Sequence, residues 1–427
     1  MISSDNDNDV DSMLKTKKMI VFALGDNVNH RHHIKSAIEN SFDTYRRSLT
    51  QVMKSMDENI EYMKEYDESN IRLKSIHNQF RKDISIIPSL WEENENFLKI
   101  LLSTKELNIM YGISETSSIT SFESNFKKNK TYKNNNNESS TNKLSSYDSL
   151  ENILLHLHRD WSNDDCITTH LSLLINKVDD ALHILDKSKT DIKVLIPGAG
   201  LGRIGIELSS LGYNVEMNEC SPTMITSINN IVNELLINDN EFSYYPYLHA
   251  TLNDAWDYSI RNKPIFFPPS NITRLKTWAK EGQNLLHLQY GDFVTNYKIH
   301  ERNKYFDIIV TSYFIDTGNI LDYLDVMKYI LKPNGIWINY GPLHYHSAST
   351  VKYSYNQLLQ IITLLGFEVI SQSHIEGPYG CNKHINMKPD YYIVPLDVFQ
   401  LKESIITPSH SDNDEEINWK SQNFSIL

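Results

Sequence analysis

Between Ile34 and Met63 apolar residues recur in steps of three or four: Ile34, Ile38, Phe42, Tyr45, Leu49, Val52, Met56, Ile60 and Met63. That period puts them on one face of a long amphipathic helix. The helical pattern continues to about Met110, interrupted at Pro88, with a second helix expected around Trp91–Leu102. Residues 113–147 are rich in Ser, Asn and Lys and hold few apolar side chains. They cannot bury enough surface to offset ordering entropy, so a disordered insertion is expected. From Ser149 the period alternates. Helices are predicted at Ser149–Trp161 and Thr168–Leu185, a strand at Lys193–Ile196, then a short helix stopped by Gly212. A strand at Asn214–Asn218 leads to a helix that Ser221 caps, with Pro222 in its first position. Further strands are predicted at Leu285–Gln289, Asp307–Phe314 and Ile336–Asn339, the last entered through a Pro333-Asn334-Gly335 turn. Helices at Ile320–Leu331 and Tyr355–Leu365 and two closing strands, near Phe367–Ser373 and Tyr391–Pro395, complete the pattern. Alternating strands and helices define an α/β fold with a parallel, doubly wound sheet.

The pattern divides the chain into an N-terminal helical region (27–112), the insertion (113–147), an α/β domain (148–400) and an acidic tail (401–427). Within the α/β domain, residues 241–283 are dense in aromatics and proline and too apolar for disorder. They are expected to form an inserted lobe or lid, which covers a substrate or packs without touching one. The one-sided stripe of the N-terminal helices shows that they pack against something, either as a brace on the same chain or as a homodimer surface.

A net charge of −13 argues against nucleic-acid binding through phosphates. The three cysteines form no C-x-x-C pair, so neither a zinc site nor a disulfide framework is expected. The apolar run Met19–Leu24 is too short for a secretory signal, and no stretch is long enough to span a bilayer. The expectation is a soluble protein with no membrane partner.

The chemistry concentrates in "VLIPGAGLGRIGIELSSLGYNVEMNE", Val194 to Glu219. Gly198, Gly200 and Gly202 let the backbone turn sharply and let a ligand approach the amides that open the next helix. Glu219, at the end of the second strand, stands where an acid meets ribose hydroxyls. NAD and S-adenosylmethionine both suit such a half-site. The turn lacks the full G-x-G-x-x-G that packs a pyrophosphate, Arg203 follows the last glycine, and Asp292 in "GDF" ends the third strand. These features favour the methyl donor.

Several ordered segments resemble the carnosine N-methyltransferase family: "HRDWS", the glycine-turn segment, "YYPYLHATLNDAWD", "RNKPIFFPP" and "FIDTGNILDYLDVMKYILKPNGIWINYGPLHYH". The resemblance is loose over Ile34–Met110 and close over His158–Pro395. It implies a class I methyltransferase, Rossmann-like sheet of seven strands with the last pair antiparallel. It implies transfer of a methyl from S-adenosylmethionine to an imidazole nitrogen of carnosine, giving anserine, in the cytosol and the nucleus. Carried over by motif, the donor contacts would be Arg159, Gly198, Gly200, Glu219, Asp292 and Ser312. His156 stands where the family has glutamine. The small-molecule substrate would meet Asp316, His346 and Tyr391, with Asp316 and His346 catalytic. Around Gly377–Tyr392 the chain departs from the family, with Pro389 where an aromatic is expected.

The residues are compatible with this chemistry. A neutral imidazole is already nucleophilic, so the enzyme must align it and select one ring nitrogen. A carboxylate that accepts the other ring N–H does both and stabilises the imidazolium as it forms. Asp316 follows the fourth strand, at the edge where α/β ligands sit. Its competing reading is an N-cap for the helix at Ile320. His344 and His346 share one side of an extended stretch, without a third metal ligand in sight. Tyr340, Tyr345, Tyr391 and Tyr392 are candidate walls for the imidazole or ordinary core aromatics. Methylation of histidine in a protein or peptide would need the same pocket. An NAD(P)-dependent oxidoreductase would need a turn that this chain lacks.

Overall fold

A computed structural model describes residues 20–23, 28–104, 149–163, 165–248, 257–282, 286–379 and 391–402. The expected insertion at 113–147 and the acidic tail beyond residue 402 lie outside them. In chain order the elements are β1 (Ile20–Ala23), α1 (Val28–Asp67), α2 (Ile71–Ser85), α3 (Ile87–Leu101), α4 (Leu150–Trp161), α5 (Asp165–Leu185), β2 (Lys193–Pro197), α6 (Arg203–Ser210), β3 (Asn214–Glu219) and α7 (Pro222–Asn230). There follow β4 (Phe242–Tyr244), α8 (Tyr258–Arg261), β5 (Ile265–Phe267), α9 (Thr273–Glu281), β6 (Leu286–Tyr290), α10 (Phe293–Tyr297), β7 (Phe306–Ser312), α11 (Ile320–Ile330), β8 (Leu331–Tyr340), α12 (Tyr355–Leu364), β9 (Phe367–Pro378) and β10 (Tyr391–Leu401).

The main sheet has eight strands in the order β1-β6-β3-β2-β7-β8-β10-β9. The seven expected strands are all present. β10 is the one strand that runs against its neighbours, antiparallel to both β8 and β9. The eighth strand was not expected. The run Met19–Leu24 supplies β1, which pairs parallel to β6 and extends the sheet at its edge. β2 and β7 are buried almost throughout, as expected of central parallel strands covered on both faces.

Four local expectations change. The helical run does not continue unbroken to Pro88: it stops at Asp67, and Asn70 starts α2 by accepting the Arg72 N–H. Pro88 lies in the first turn of α3 and so begins a helix. The Pro333–Gly335 turn survives as a bulge inside β8, with Asn334 left-handed at φ 62° while Phe306 pairs Leu331 and Ile308 pairs Ile336. β10 runs through Pro395 to Leu401. Proline is tolerated there because the residue-by-residue pairing with β8 starts only at Leu396.

The apolar stripe of α1 is covered within the chain. Ile34, Ile38, Tyr45, Val52 and Met56 are buried, α1 lies against α4 and α7, and Tyr45 stacks on Trp91 of α3 at 4.6 Å. The proximal N-terminal helices are therefore a brace. At the distal end of α1 and the start of α2, Tyr62 and Ile71 are exposed. The described part of the aromatic insertion is a packing lobe. β4 and β5 form a hairpin whose Phe242, Tyr244 and Phe267 surround Phe97 of α3 at 5.5–5.8 Å. Residues 249–256 of that insertion lie outside the described residues. No described helix is long and apolar enough to cross a membrane.

Asn94 fastens the brace to the lobe. Its buried amide donates to the Tyr245 carbonyl at 2.9 Å and accepts the Tyr245 N–H at 2.7 Å. Asn94→Leu leaves two buried backbone groups without these partners, each worth about 1–3 kcal/mol. We expect a loss of roughly 2–4 kcal/mol in urea unfolding; a loss below about 0.5 kcal/mol would show that this amide pair does not hold the lobe.

Candidate active site

The glycine turn leaves β2 at the carboxyl edge of the sheet. All three of its glycines are left-handed, at φ 63°, 57° and 75° for Gly198, Gly200 and Gly202. Each has a different neighbour. A Cβ on Gly198 would stand 2.3 Å from Phe314 Cδ2, and one on Gly202 would stand 3.1 Å from Ile228. A Cβ on Gly200 would meet only Arg159 Nη2, at 3.9 Å. Two glycines thus let the protein pack, and Gly200 keeps an open side toward the cleft.

Glu219 ends β3 and is buried. Its Oε2 accepts the Gly200 N–H and its Oε1 accepts the N–H groups of Cys220 and Ser221, each at 2.8 Å. The carboxylate therefore sets the turn and the start of α7 in one frame.

Above the turn lies a cleft with about 730 Å³ of empty space, open to solvent. Arg159, Gly198, Gly200 and Ser312 all line it. Arg159 comes from the last turn of α4. Its Nε and Nη2 donate to the two oxygens of Asp160 at 2.7 and 3.0 Å, and its Nη1 donates to the Tyr379 hydroxyl at 2.6 Å. Burial lowers the Arg159 pKa, but the Asp160 carboxylate outweighs it, and the guanidinium is held more firmly charged than usual. His156 sits one turn earlier, its Nε2 3.5 Å from the Tyr379 hydroxyl. Burial and then the Arg159 charge push this imidazole down to about 3, so it is neutral.

Asp316 and His346 meet beyond the ends of β7 and β8. Asp316 is 3% exposed and does not cap α11; that position belongs to Asn319. The Asp316 Oδ2 accepts the His344 N–H at 2.6 Å, and its carbonyl accepts the His346 N–H and the Ser349 hydroxyl, each at 3.1 Å. Burial raises the carboxyl above its usual range, and no cation among the described residues forms an ion pair with it. His346 is half-buried, and that burial lowers its pKa, so it stays neutral near pH 7.

Two of the expected residues stand apart. Asp292 is exposed and caps α10: its Oδ1 accepts both the N–H and the hydroxyl of Thr295 at 2.8 Å. It is nevertheless next to the frame, because the Gly291 N–H donates to the Glu219 carbonyl at 3.0 Å. Tyr391 opens β10 opposite Pro378, one residue from Tyr379; its side chain lies outside what is described. Among the described residues no group of three metal-binding side chains occurs.

Sequence reasoning missed Tyr313, Tyr379 and His170. Tyr313 is left-handed at φ 51°, with Gly341 so close that a Cβ there would meet the Tyr313 N at 2.9 Å. Its ring lies 5.0 Å from Tyr379 and 5.4 Å from Tyr340. His170 of α5 lies 5.3 Å from Tyr340. A glycine two residues past a predicted strand, at Gly341, was the available signal for the strained Tyr313.

The strand order, the left-handed glycine turn and the acid that frames it define a class I, S-adenosylmethionine-dependent methyltransferase. A family model described as carnosine N-methyltransferase matches residues 136–401, and the chain belongs to that family. The carnosine N-methyltransferase of Schizosaccharomyces pombe is 29% identical over 278 residues, covering 59% of this chain and 72% of that protein. That of Rattus norvegicus is 32% identical over 258 residues, covering 57% and 61%. That of Dictyostelium discoideum is 32% identical over 252 residues, covering 57% and 53%. The matched chain thus spans from about half to nearly three quarters of these relatives. Of solved structures, magnesium protoporphyrin IX methyltransferase from Synechocystis PCC 6803 is 11% identical with a TM-score of 0.33, over 55% of this chain and 85% of that one. The strand order, not this remote likeness, carries the fold.

The unequal glycines lead to an unequal expectation. Gly198→Ala must absorb both backbone strain and the Phe314 contact, and should lower stability by roughly 3 kcal/mol or more. Gly212→Ala, also at positive φ but with nothing within 4 Å of a Cβ, should lose only about 1–2 kcal/mol. Equal losses in denaturant melts would show that Phe314 moves aside freely.

Proposed function

We propose that this protein transfers a methyl group from S-adenosylmethionine to an imidazole nitrogen of carnosine, or of a related histidine dipeptide, in the cytosol or nucleus. One observation carries the substrate assignment. A buried carboxylate, Asp316, stands without an ion-pair partner among the described residues, at the same sheet edge as the donor turn. Its Oδ2 already accepts the His344 N–H, and a cation or further donor arriving beside it would offset the remaining cost of burial.

The residues fit the donor. Arg159 offers a firmly charged guanidinium for its carboxylate. The open side of Gly200 admits its chain, and Glu219 stands at the end of β3 where ribose hydroxyls are met. In this reading Asp292, whose Oδ1 caps α10, would turn its Oδ2 to the adenine amino group, Ser312 would line the cleft, and His156 would act from behind Tyr379. When bound, S-adenosylmethionine supplies a methyl carried on a sulfonium.

The protein's own part is alignment and charge. Asp316 accepts the ring N–H of the substrate, which selects the tautomer and leaves the lone pair of the other nitrogen facing the methyl. As the N–C bond forms and the C–S bond breaks, positive charge spreads over the ring, and the Asp316 carboxylate stabilises it. His346, neutral and held to Asp316 through its backbone N–H, and Tyr391 complete the substrate contacts. Tyr313, Tyr340 and Tyr379 exclude water and offer π-faces to the developing imidazolium. The proton on the first nitrogen leaves with the product or passes to solvent, so no strong base is needed.

The test is methylation of carnosine by wild type and Asp316→Asn, followed by mass spectrometry and by pH profiles. The variant should lose ~10²–10⁴-fold in kcat/KM. For wild type, kcat/KM should rise with pH until the substrate imidazole, with an ordinary pKa of about 6.5, is neutral. Stability should move the other way. The Asp316 pKa is raised in the fold, so its contribution is full below the unfolded value of about 3.9 and is lost as pH rises through the folded value. Asp316→Asn should therefore unfold no earlier than wild type at pH 8, and lose that advantage near pH 4. Donor binding with no methylated carnosine, but methylated histidine peptides, would move the substrate to a protein or peptide.

A further inference from the structure

Arg203 takes the first position of α6, straight after the last glycine of the turn. A cation there faces the positive end of the helix dipole, an unfavourable place unless the side chain finds compensation elsewhere. It does so by running back to the end of α4. Its Nη1 donates to the Asp160 carbonyl at 3.3 Å, and its guanidinium lies 4.8 Å over the Trp161 ring. Its Nε donates to the buried Glu207 at 2.9 Å, and Glu207 also takes Arg274 from α9. A second contact crosses the same junction in the opposite direction: Trp161 Nε1 donates to the Leu201 carbonyl inside the turn at 3.2 Å.

These two contacts clamp the last turn of α4 onto the glycine turn. The residue whose carbonyl takes Arg203 is Asp160, and its carboxylate takes the fork of Arg159. Arg159 is thereby held facing the open side of Gly200, where a Cβ would lie 3.9 Å from its Nη2. The same last turn of α4 is also tied to the lobe, with the His158 ring 2.8 Å from the Tyr247 hydroxyl.

We propose that Arg203 and Trp161 are positioning residues that aim Arg159 at the carboxylate of the methyl donor; this rests on the assignment of Arg159 made above. Neither residue needs to touch the reacting atoms. Lysine cannot replace Arg203, because a single ammonium cannot stack on Trp161 while it bonds both Glu207 and the Asp160 carbonyl.

The test compares two ligands on the full chain by calorimetry. S-adenosylhomocysteine keeps the amino-acid carboxylate, and 5′-methylthioadenosine lacks it. Arg203→Lys and Trp161→Phe should each weaken S-adenosylhomocysteine about tenfold, the scale of one charge-assisted hydrogen bond. They should leave methylthioadenosine and the KM for carnosine unchanged. In an Arg159→Ala background neither should weaken S-adenosylhomocysteine further, because the residue they act through is gone. Equal loss for both ligands, or full additivity with Arg159→Ala, overturns the proposal. Trp161→Phe keeps an aromatic ring, though a smaller one, and removes the indole N–H that bonds Leu201, so with its stability checked by melting it decides the matter should Arg203→Lys not fold. If wild type binds methylthioadenosine but not S-adenosylhomocysteine, the assignment of Arg159 falls and this inference with it. If it binds neither, the methyl-donor site itself falls.

Discussion

The site depends first on one carboxylate. Glu219 gathers the amides of Gly200, Cys220 and Ser221 around its two oxygens. Parallel pairing of β2 with β3, down to Pro197 against Asn218, brings the two strand ends level. Glu219 then fixes how the chain leaves each of them. A left-handed glycine turn is intrinsically loose in the unfolded chain. Here a buried charge that must be satisfied by hydrogen bonds gives it a single geometry.

The second constraint is steric. Phe314 packs into the space that a side chain at position 198 would fill and stacks on Tyr323 at 4.6 Å. Asp316 follows two residues later, its carbonyl and carboxylate both tied to the 344–349 loop. The donor turn and the buried carboxylate are thus two ends of one packed unit, with Phe314 between them. The strained backbone of Tyr313 is where the chain changes direction from strand to site, and strain of that kind persists only when its surroundings over-determine it.

Away from the cleft, the N-terminal helices and the aromatic lobe hold each other. Phe97 in its cage of three aromatics and Asn94 on the Tyr245 backbone bind α3 to the β4–β5 hairpin. Trp161 meets Phe267 of the same hairpin edge-on at 5.6 Å. The end of α4 is therefore packed between the lobe on one side and the glycine turn on the other. The lobe supports the donor side of the site from behind.

Much of this was written in local pattern. The stripe from Ile34 to Met56 marked the buried face of α1, because a 3.6-residue period reports which side of a helix leaves water. The G-x-G-x-G run with a spaced acid marked the left-handed turn that Glu219 frames, because few residues other than glycine accept those backbone angles and the strand–helix–strand spacing sets where the acid arrives. Other features had no local signature. Four residues at Ile20–Ala23 become a strand only because β6, far along the chain, offers them an unpaired edge. Asp316 preceded a helix as a cap would; tertiary packing buried it and gave the cap to Asn319. Tyr379 reaches Arg159 from a distant segment, and Arg203 reaches the carbonyl of the neighbouring Asp160 from another, in contacts that no periodicity encodes. The sequence determined which segments turn, coil and bury, since those follow from each residue's own sterics and polarity. Only the tertiary structure decided which charges face one another, since that depends on distances closed by the rest of the fold.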